Sequence, residues 1–280
     1  MRSVEAAAIT EVVARLCEEA SFVLEESVHS AFQKAYEAEI SPLGKDALAQ
    51  ILANAALAAE NKLPICQDTG IMLVLVDLGQ EVHVSGGSLY AAINQGVRDA
   101  SRRSYLRKSI VNDPIERTNT KDNTPAVIHC RIVDGDRIKI SLMPKSAGSE
   151  NVSTVKVLNT ADGWEGIKSF VLETVDQAGP NPCPPVIVGV GMGGTMEKAA
   201  LLAKEALFRP VGQKHPLETI AYLESELLDA INGLGIGPIG RGGRTTALAV
   251  HVEVFPTHMS SLPVAVNLLC CAARYKTMEI

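Results

Sequence analysis

The sequence predicts a mixed α/β (α+β) fold in which a helical N-terminal region packs with mixed or antiparallel sheets. Apolar residues recur at helical spacing through residues 1–62, whereas short β-branched apolar runs alternate with helical patterns afterwards. Glycine-rich loops separate the strands from the helices, which indicates that backbone there approaches another group closely. A chain of 280 residues can bury a full core as one large domain or two lobes, and we take residues 1–280 as one domain.

Three helices are predicted in the N-terminal region. Apolar residues three and four positions apart run from Val4 to about residue 39 and predict two of them. Ser41 can cap a third helix, whose first residue would be Pro42 and which continues to about Asn61.

Short strands and one hairpin are predicted next. Apolar runs predict strands at 71–77 and 80–84, and a helix follows at about 89–109. This predicted helix carries four arginines, in the simplest interpretation a solvated face: Arg98, Arg102, Arg103 and Arg107. Residues 126–143 form two apolar runs joined by Asp134-Gly135, a pattern typical of a β-hairpin.

The C-terminal half alternates helices and strands. The predicted elements are helices at about 163–178, 195–207 and 217–232, and strands at 186–190 and 245–255, with a further apolar run at 264–271. The glycines between 189 and 194 follow a strand and open a helix, as in a dinucleotide-binding fingerprint. No βαβ unit precedes them and no acidic residue ends a second strand about 20 residues later. We therefore interpret them as a close-packed strand-to-helix corner.

Charge and hydropathy exclude several classes of partner. The net charge of −6 argues against nucleic acid or an anionic membrane, since both require a basic face. No apolar run reaches about 18 residues and the N-terminus has no signal-peptide pattern, so we predict no membrane association and a cytoplasmic location. In that compartment the six cysteines are expected to be reduced thiols, metal ligands or small buried residues.

The densest group of reactive side chains is the run from Cys66 to Gly70, which places a thiol, an amide, a carboxylate and a hydroxyl before an apolar run. Pro64 disfavours helix before it and Gly70 permits a tight turn, so the backbone of this segment is expected to be fixed. Such polar groups need partners, because each one buried without a hydrogen bond costs roughly 1–3 kcal/mol. The Asp68 carboxylate could cap a helix, bond a turn or orient a ligand.

Three of the six cysteines lie in irregular segments bounded by proline or glycine: Cys66, Cys183 and Cys270. Cys17 lies in a helix pattern and Cys130 in a strand pattern, so both are predicted to be small buried residues. The three irregular cysteines are far apart and lack CxxC pairing, so the pattern alone leaves a metal site open. His258 follows a strand and is the best candidate for a site imidazole, although a structural role is equally open.

Four segments together resemble the α subunit of the iron–sulfur hydro-lyases, the class I fumarate hydratase and tartrate dehydratase family. They are ICQDTG, NTKDNTPAVIHCRIVDGD, NPCPPVIVGVGMGGTMEKAALLAKEAL and GLGIGPIGRGGRTTALAVHVEVFPTHMSSLPVAVNLLC. The resemblance extends from about residue 10 to 275. It implies a 4Fe–4S cluster held by Cys66, Cys183 and Cys270, with the glycine-rich loops around it. The fourth iron would have no protein ligand and would act as a Lewis acid.

The same resemblance implies a set of substrate contacts. Gln67 and Asp68 resemble the pair that bonds the substrate carboxylate and hydroxyl, and Arg107 resembles an arginine that clamps a carboxylate. His258 resembles the active-site histidine of the family, so His258 and Asp68 are the implied catalytic residues. Gly148 matches the last glycine of a KGGGS loop, which here reads KSAGS, so the loop departs from the family at two glycines.

The resemblance also implies a partner and a substrate class. In the two-subunit form a separate β subunit carries the proton-abstracting threonine, so we expect this chain alone to bind a cluster but to turn over little substrate. We expect an assembly of two αβ units and a dicarboxylate substrate, malate or fumarate. The segments HVEVFPTH and GGRTTAL look more like the fumarase branch and predict reversible hydration of fumarate to (S)-malate, with L-tartrate dehydration as the alternative.

Two hypotheses from other classes compete with the hydro-lyase. A redox or iron sensor would use the same cluster but would need a surface for DNA or another partner, of which the acidic charge gives no sign. A nucleotide-binding module would use the glycine loop at 189–194. An absorbance band near 400 nm after anaerobic reconstitution would separate the cluster hypotheses from the nucleotide module.

Overall fold

The computed structural model describes residues 1–280 and confirms a mixed α/β fold. The helices are α1 Ala6–Phe22, α2 Glu26–Ala38, α3 Pro42–Asn61, α4 Leu89–Arg103, α5 Ala147–Glu150, α6 Gly163–Ala178, α7 Met196–Ala206 and α8 Glu218–Gly233. The strands are β1 Arg2–Glu5, β2 Ile71–Gly79, β3 Val82–Ser85, β4 Val127–Val133, β5 Ile138–Lys145, β6 Thr154–Leu158, β7 Val186–Gly193, β8 Ala247–Phe255, β9 Leu262–Leu269 and β10 Lys276–Glu279. No helix combines the length and apolarity needed to cross a membrane.

The chain divides into two compact units. The first unit contains Met1–Glu25, Asn54–Ala147 and Arg274–Ile280, and the second contains Glu26–Ala53 and Gly148–Ala273. Each unit has its own sheet and its own apolar core.

The sheet of the first unit has the strand order β10-β5-β2-β4, and α1 and α4 pack together on it. The helices approach closely, since a side chain at Gly96 would meet Thr10 O at 2.5 Å. Fully buried apolar side chains from both layers form the core: Ile9, Val13, Leu16, Val74, Ile93, Val97, Ile138 and Ile140.

The predicted hairpin at 126–143 is wrong, because β4 and β5 do not pair with each other. The central strand β2 lies between them, parallel to β4 and antiparallel to β5. Gly135 has φ 101 and its connection crosses the end of β2, where Glu81 N–H donates to Gly135 O at 3.0 Å. The Asp-Gly turn is a local signal, whereas the pairing follows burial, and the more apolar β2 takes the interior position.

Helix α4 ends at Arg103 and not near residue 109. Tyr105 has φ 54, which is incompatible with a continuing helix, so Arg107 lies on the irregular segment that follows. Three short strands were not predicted. Val4, expected in a helix, belongs to β1, and β6 and β10 are also only four or five residues long, too short to show an alternating pattern.

The sheet of the second unit has the order β6-β9-β7-β8, with β7 antiparallel to β9 and parallel to β8. The predicted close-packed corner at 189–194 is confirmed. A Cβ on Gly191 would overlap Ala199 O and lie 2.5 Å from Ala203 N, and a Cβ on Gly189 would overlap Ala203 O. These glycines therefore let α7 lie directly against β7, which continues to Gly193.

Candidate functional site

The Cys66 segment joins α3 to β2 without regular structure. Backbone hydrogen bonds fix its start: Ile65 N–H donates to Ser21 O at 2.9 Å, and the Asn54 amide donates to Ile65 O at 2.8 Å. At its end Gly70 has φ 67, and a Cβ there would lie 2.6 Å from the carbonyl carbon of Lys145. The half-buried Cys66 thiol is therefore carried on a rigid loop, as predicted.

The Asp68 carboxylate ties this loop to the segment that follows β5. Its Oδ1 accepts from Gly70 N–H and its Oδ2 from Ala147 N–H, both at 3.0 Å. Of the roles left open by the sequence, the structure shows the turn bond to Gly70 and a helix cap at Ala147, the first residue of α5. Each carboxylate oxygen keeps a second lone pair for a ligand. Ala147 is one of the two positions where the KSAGS loop has another residue in place of glycine. Its backbone N–H donates to Asp68.

The first unit brings three of the predicted substrate contacts to one region. Thr69 Oγ1 donates to Arg107 O at 2.6 Å, so the segment after α4 lies against the Cys66 segment. The side chains of Gln67 and Arg107 are exposed there, beside Asp68. This unit therefore presents an amide, a guanidinium and an oriented carboxylate next to one thiol.

In the second unit Cys183 and Cys270 meet at one end of the sheet. Cys183 precedes β7 and Cys270 follows β9, and these strands are antiparallel with Ile187 opposite Leu269. Cys271 N–H donates to Cys183 O at 3.0 Å. Cys183 has φ 54 and is exposed, and Cys270 is 6% exposed.

Glycine-bearing loops surround the Cys183 turn. Ile239 N–H donates to Pro184 O at 2.7 Å. A Cβ on Gly240 would overlap Pro180, and a Cβ on Gly148 would lie 3.1 Å from Asn181 O. Gly148 is itself exposed. Both loops therefore pack on the turn that presents Cys183.

His258 lies at the opposite end of the same sheet. It follows β8, whose last residue Phe255 is opposite Gly193 at the far end of β7 from Cys183. A strand of eight residues is about 26 Å long, which exceeds the reach of an imidazole. His258 is exposed, and its Nδ1 accepts from Ser260 N–H at 3.2 Å, so the neutral ring carries its proton on Nε2.

Two of the other cysteines test the expectation of burial. Cys17 is fully buried in α1, as predicted, and burial raises the pKa of its thiol. Cys130 is exposed, so its predicted burial is wrong: β4 is an edge strand whose side chains are largely accessible.

Sequence reasoning missed two buried cations and one buried carboxylate. Arg274 is fully buried in the first unit, where its Nη2 donates to Asp68 O at 2.9 Å. Lys145 is 1% exposed, and its backbone lies against Gly70. Glu39 is 3% exposed and accepts from Arg244 N–H at 2.8 Å, which holds the glycine-rich loop of the second unit. Burial acts to raise the pKa of Glu39, but the backbone N–H groups that donate to it outweigh burial and lower that pKa.

The donors present suit an iron–sulfur cluster. Thiolates are the ligands that hold such clusters, and the group they hold is anionic. The buried guanidinium of Arg274 has two nitrogens, Nε and Nη1, without a hydrogen-bond partner, beside the segment that carries Cys66. No three histidine, cysteine or carboxylate side chains gather closely enough to hold a single metal ion. In a cubane each thiolate binds a different iron, so its ligands lie farther apart than those of one ion.

A separate cavity of about 570 Å³ lies in the second unit and contains none of the predicted site residues. Glu224 and His251 line it, and Glu224 also pairs with Arg209. Burial, and secondly the Arg209 charge, lower the pKa of His251 to about 4, although the Ala206 carbonyl partly opposes this.

The low pKa of His251 predicts a pH dependence of stability. The unfolded state binds a proton below the ordinary pKa of 6.5, whereas the folded state does so only near 4. The free energy of unfolding should therefore fall as pH drops from about 6.5 to 4, by roughly 3 kcal/mol in total. Urea unfolding of His251→Gln should show a flatter pH profile, and exposed His83→Gln should keep the wild-type slope. An unchanged slope in His251→Gln would contradict the assignment.

Known proteins resemble the chain over nearly its whole length. The profile of the fumarate hydratase (Fumerase) family matches residues 10–279. A Methanocaldococcus jannaschii protein provisionally named L(+)-tartrate dehydratase subunit alpha is 42% identical over 272 residues, covering 95% of each chain. The L(+)-tartrate dehydratase subunit alpha of Escherichia coli K12 is 34% identical, over 97% of this chain and 90% of its own length. The chain therefore belongs to the fumarate hydratase family, among the α subunits of the iron–sulfur hydro-lyases.

Proposed function

We propose that this chain is the cluster-binding α subunit of a hydro-lyase that acts on a four-carbon hydroxy dicarboxylic acid together with a separate β subunit. The observation that carries the proposal is the meeting of Cys183 and Cys270 at one end of the second unit's sheet. The naming of the relatives as alpha subunits supports the need for a partner.

Cys66, Cys183 and Cys270 are the proposed ligands of a 4Fe–4S cluster. When bound, the cluster supplies a Lewis acid that polarises the C–O bond of the substrate hydroxyl. Three thiolate ligands would leave one of the four irons without a protein ligand, and that iron could hold the substrate hydroxyl without any redox change.

The first unit's own side chains bind and orient the diacid. Arg107 is exposed and can donate two parallel hydrogen bonds to one substrate carboxylate. Gln67 can donate to the same acid through its amide. Asp68 is held by two backbone N–H groups, so its carboxylate can accept from the substrate hydroxyl in a set direction. Proton removal from the adjacent carbon is assigned to the β subunit.

His258 cannot reach a group held by Cys183 and Cys270 of its own chain, because it lies at the other end of their sheet. The substrate contact that the resemblance implies for it would have to be made with a second copy. His258 is exposed, and a dimer of αβ units would provide the second copy that such a contact needs. Mixing a His258→Asn complex with a Cys183→Ser complex should then restore part of the activity that each lacks.

The relatives' names favour L(+)-tartrate as the substrate, over the fumarate or malate expected from the sequence segments. Loss of water from tartrate gives the enol of oxaloacetate, whereas malate gives fumarate, so one hydroxyl separates the two reactions. We propose tartrate dehydration first. Fumarate hydration is the second candidate, supported by the description of the matching family.

Substrate profiling of the anaerobically reconstituted α–β complex tests both candidates. We expect turnover of L-tartrate with kcat/KM at least about tenfold above that for malate or fumarate, since a site that hydrogen-bonds a hydroxyl discriminates against its absence. The lone α chain should show little turnover. Preference for malate and fumarate would favour the second candidate, and full activity of the lone chain would contradict the need for a β subunit.

Arg107→Met is expected to raise KM for the diacid by about 100-fold while the cluster stays intact, because a bidentate charge-assisted pair is lost. Arg102→Met is the matched control, since Arg102 is an exposed arginine on the preceding helix. Steady-state kinetics with absorbance near 400 nm measures both properties. A wild-type KM in Arg107→Met would remove Arg107 from the site.

A further inference from the structure

Arg274 is a buried charge that the protein's own side chains do not neutralise. It is fully buried, and a guanidinium stays protonated in proteins. Nη2 donates to Asp68 O at 2.9 Å, whereas Nε and Nη1 have no hydrogen-bond partner. Burying a cation in this way is unfavourable unless an anion or several acceptors face it.

The neighbouring carboxylate does not supply that anion. Both oxygens of Asp68 accept from backbone N–H groups, of Gly70 and Ala147, and only its carbonyl oxygen faces Arg274. The loop that carries Cys66 is therefore bonded, through the Asp68 carbonyl, to a fully buried guanidinium in the first unit.

We propose that Arg274 is a positioning residue for the cluster, holding the Asp68 backbone through Nη2 and donating its remaining N–H groups to sulfur atoms of the anionic group bound at Cys66. The inference rests on the proposed function. Hydrogen bonds to cluster sulfurs and nearby charge both set how tightly a cluster is held and its reduction potential. Only arginine has five donors in a fixed fork, which lets one side chain serve the loop and the cluster together.

The test compares Arg274→Met and Arg274→Lys with wild type in the full-length chain after anaerobic reconstitution. In Arg274→Met we expect iron loss to a chelator to be about 10–100-fold faster and the reduction potential to be more negative. Arg274→Lys keeps the charge but not the fork, so its potential should lie near that of wild type while its iron loss stays faster.

Stability without the cluster separates this role from a purely structural one. Because the cluster-free chain buries an uncompensated charge, Arg274→Met should leave its Tm unchanged or raise it. Arg209→Met is the matched control, since Arg209 is a largely buried arginine that pairs with Glu224, and its loss should lower Tm.

Each result decides a different claim. A wild-type chain that binds no cluster would overturn the proposed function. If wild type binds one, then unchanged iron retention and potential in Arg274→Met would overturn the role of Arg274 alone. A fall in the cluster-free Tm as large as that of Arg209→Met would also overturn it. If Arg274→Met does not fold, wild-type retention in Arg274→Lys has the same meaning.

Discussion

Replacing Cys183 with serine should abolish the cluster and, in the α–β complex, all measurable turnover. Iron in such clusters prefers soft thiolates, and the serine hydroxyl is a hard, rarely ionised ligand. Only three protein ligands are proposed, so the loss of one leaves two. Cys183 lies on a turn whose backbone is hydrogen-bonded to Pro180 and Cys271, so the turn cannot shift to bring in another ligand. Cys66→Ser and Cys270→Ser should behave in the same way. Iron and sulfide analysis with absorbance near 400 nm measures the effect.

Two other cysteines provide matched controls. Cys271 adjoins Cys270 in the chain, and Cys130 is exposed on edge strand β4. Serine at either position should leave iron content and absorbance at wild-type levels. Equal cluster loss in Cys271→Ser and Cys270→Ser would mean that the third ligand has been assigned to the wrong neighbour.

Gly191→Ala should unfold the second unit or lower its stability by more than about 3 kcal/mol, at or beyond the upper end of ordinary overpacking costs. The added Cβ would overlap Ala199 O, lie 2.5 Å from Ala203 N and lie 2.8 Å from Leu202 Cβ. The first two are backbone atoms of α7, so relief requires the whole helix to move off β7. Thermal and urea unfolding measure the change.

Gly233→Ala is the control for Gly191→Ala. Gly233 is the last residue of α8, and a Cβ there would meet nothing within 4 Å. Alanine should leave stability unchanged or raise it by up to about 1 kcal/mol, because the unfolded chain loses freedom. Equal Tm values for the two variants would show that α7 does not lie against the sheet as described.

The sequence predicted elements well where the signal was local. The three N-terminal helices and the glycine corner follow from periodicity, capping residues and the small size of glycine. It failed where a remote partner decides the outcome. The Asp134-Gly135 turn predicted a hairpin of β4 and β5. Instead β2, which begins about sixty residues before the turn, pairs with both of these strands.

In the candidate site, too, local signals could be predicted from the sequence and distant contacts could not. The thiols could be identified because their segments are irregular and match a known family, and the Cys66 loop has the fixed backbone that its proline and glycine predict. Arg274 and Glu39 carried no local signal, because their importance comes from burial and from backbone groups distant in sequence. His258 is near Cys270 in the sequence, yet β9 carries the chain across the sheet between them.

Iron and acid-labile sulfide per chain, measured after anaerobic reconstitution of the wild-type protein, test the central claim most directly. If three cysteine thiolates bind one 4Fe–4S cluster, each folded chain should contain about four irons and four sulfides and show a broad absorbance band near 400 nm. A chain that stays folded under these conditions and takes up no iron would contradict the account.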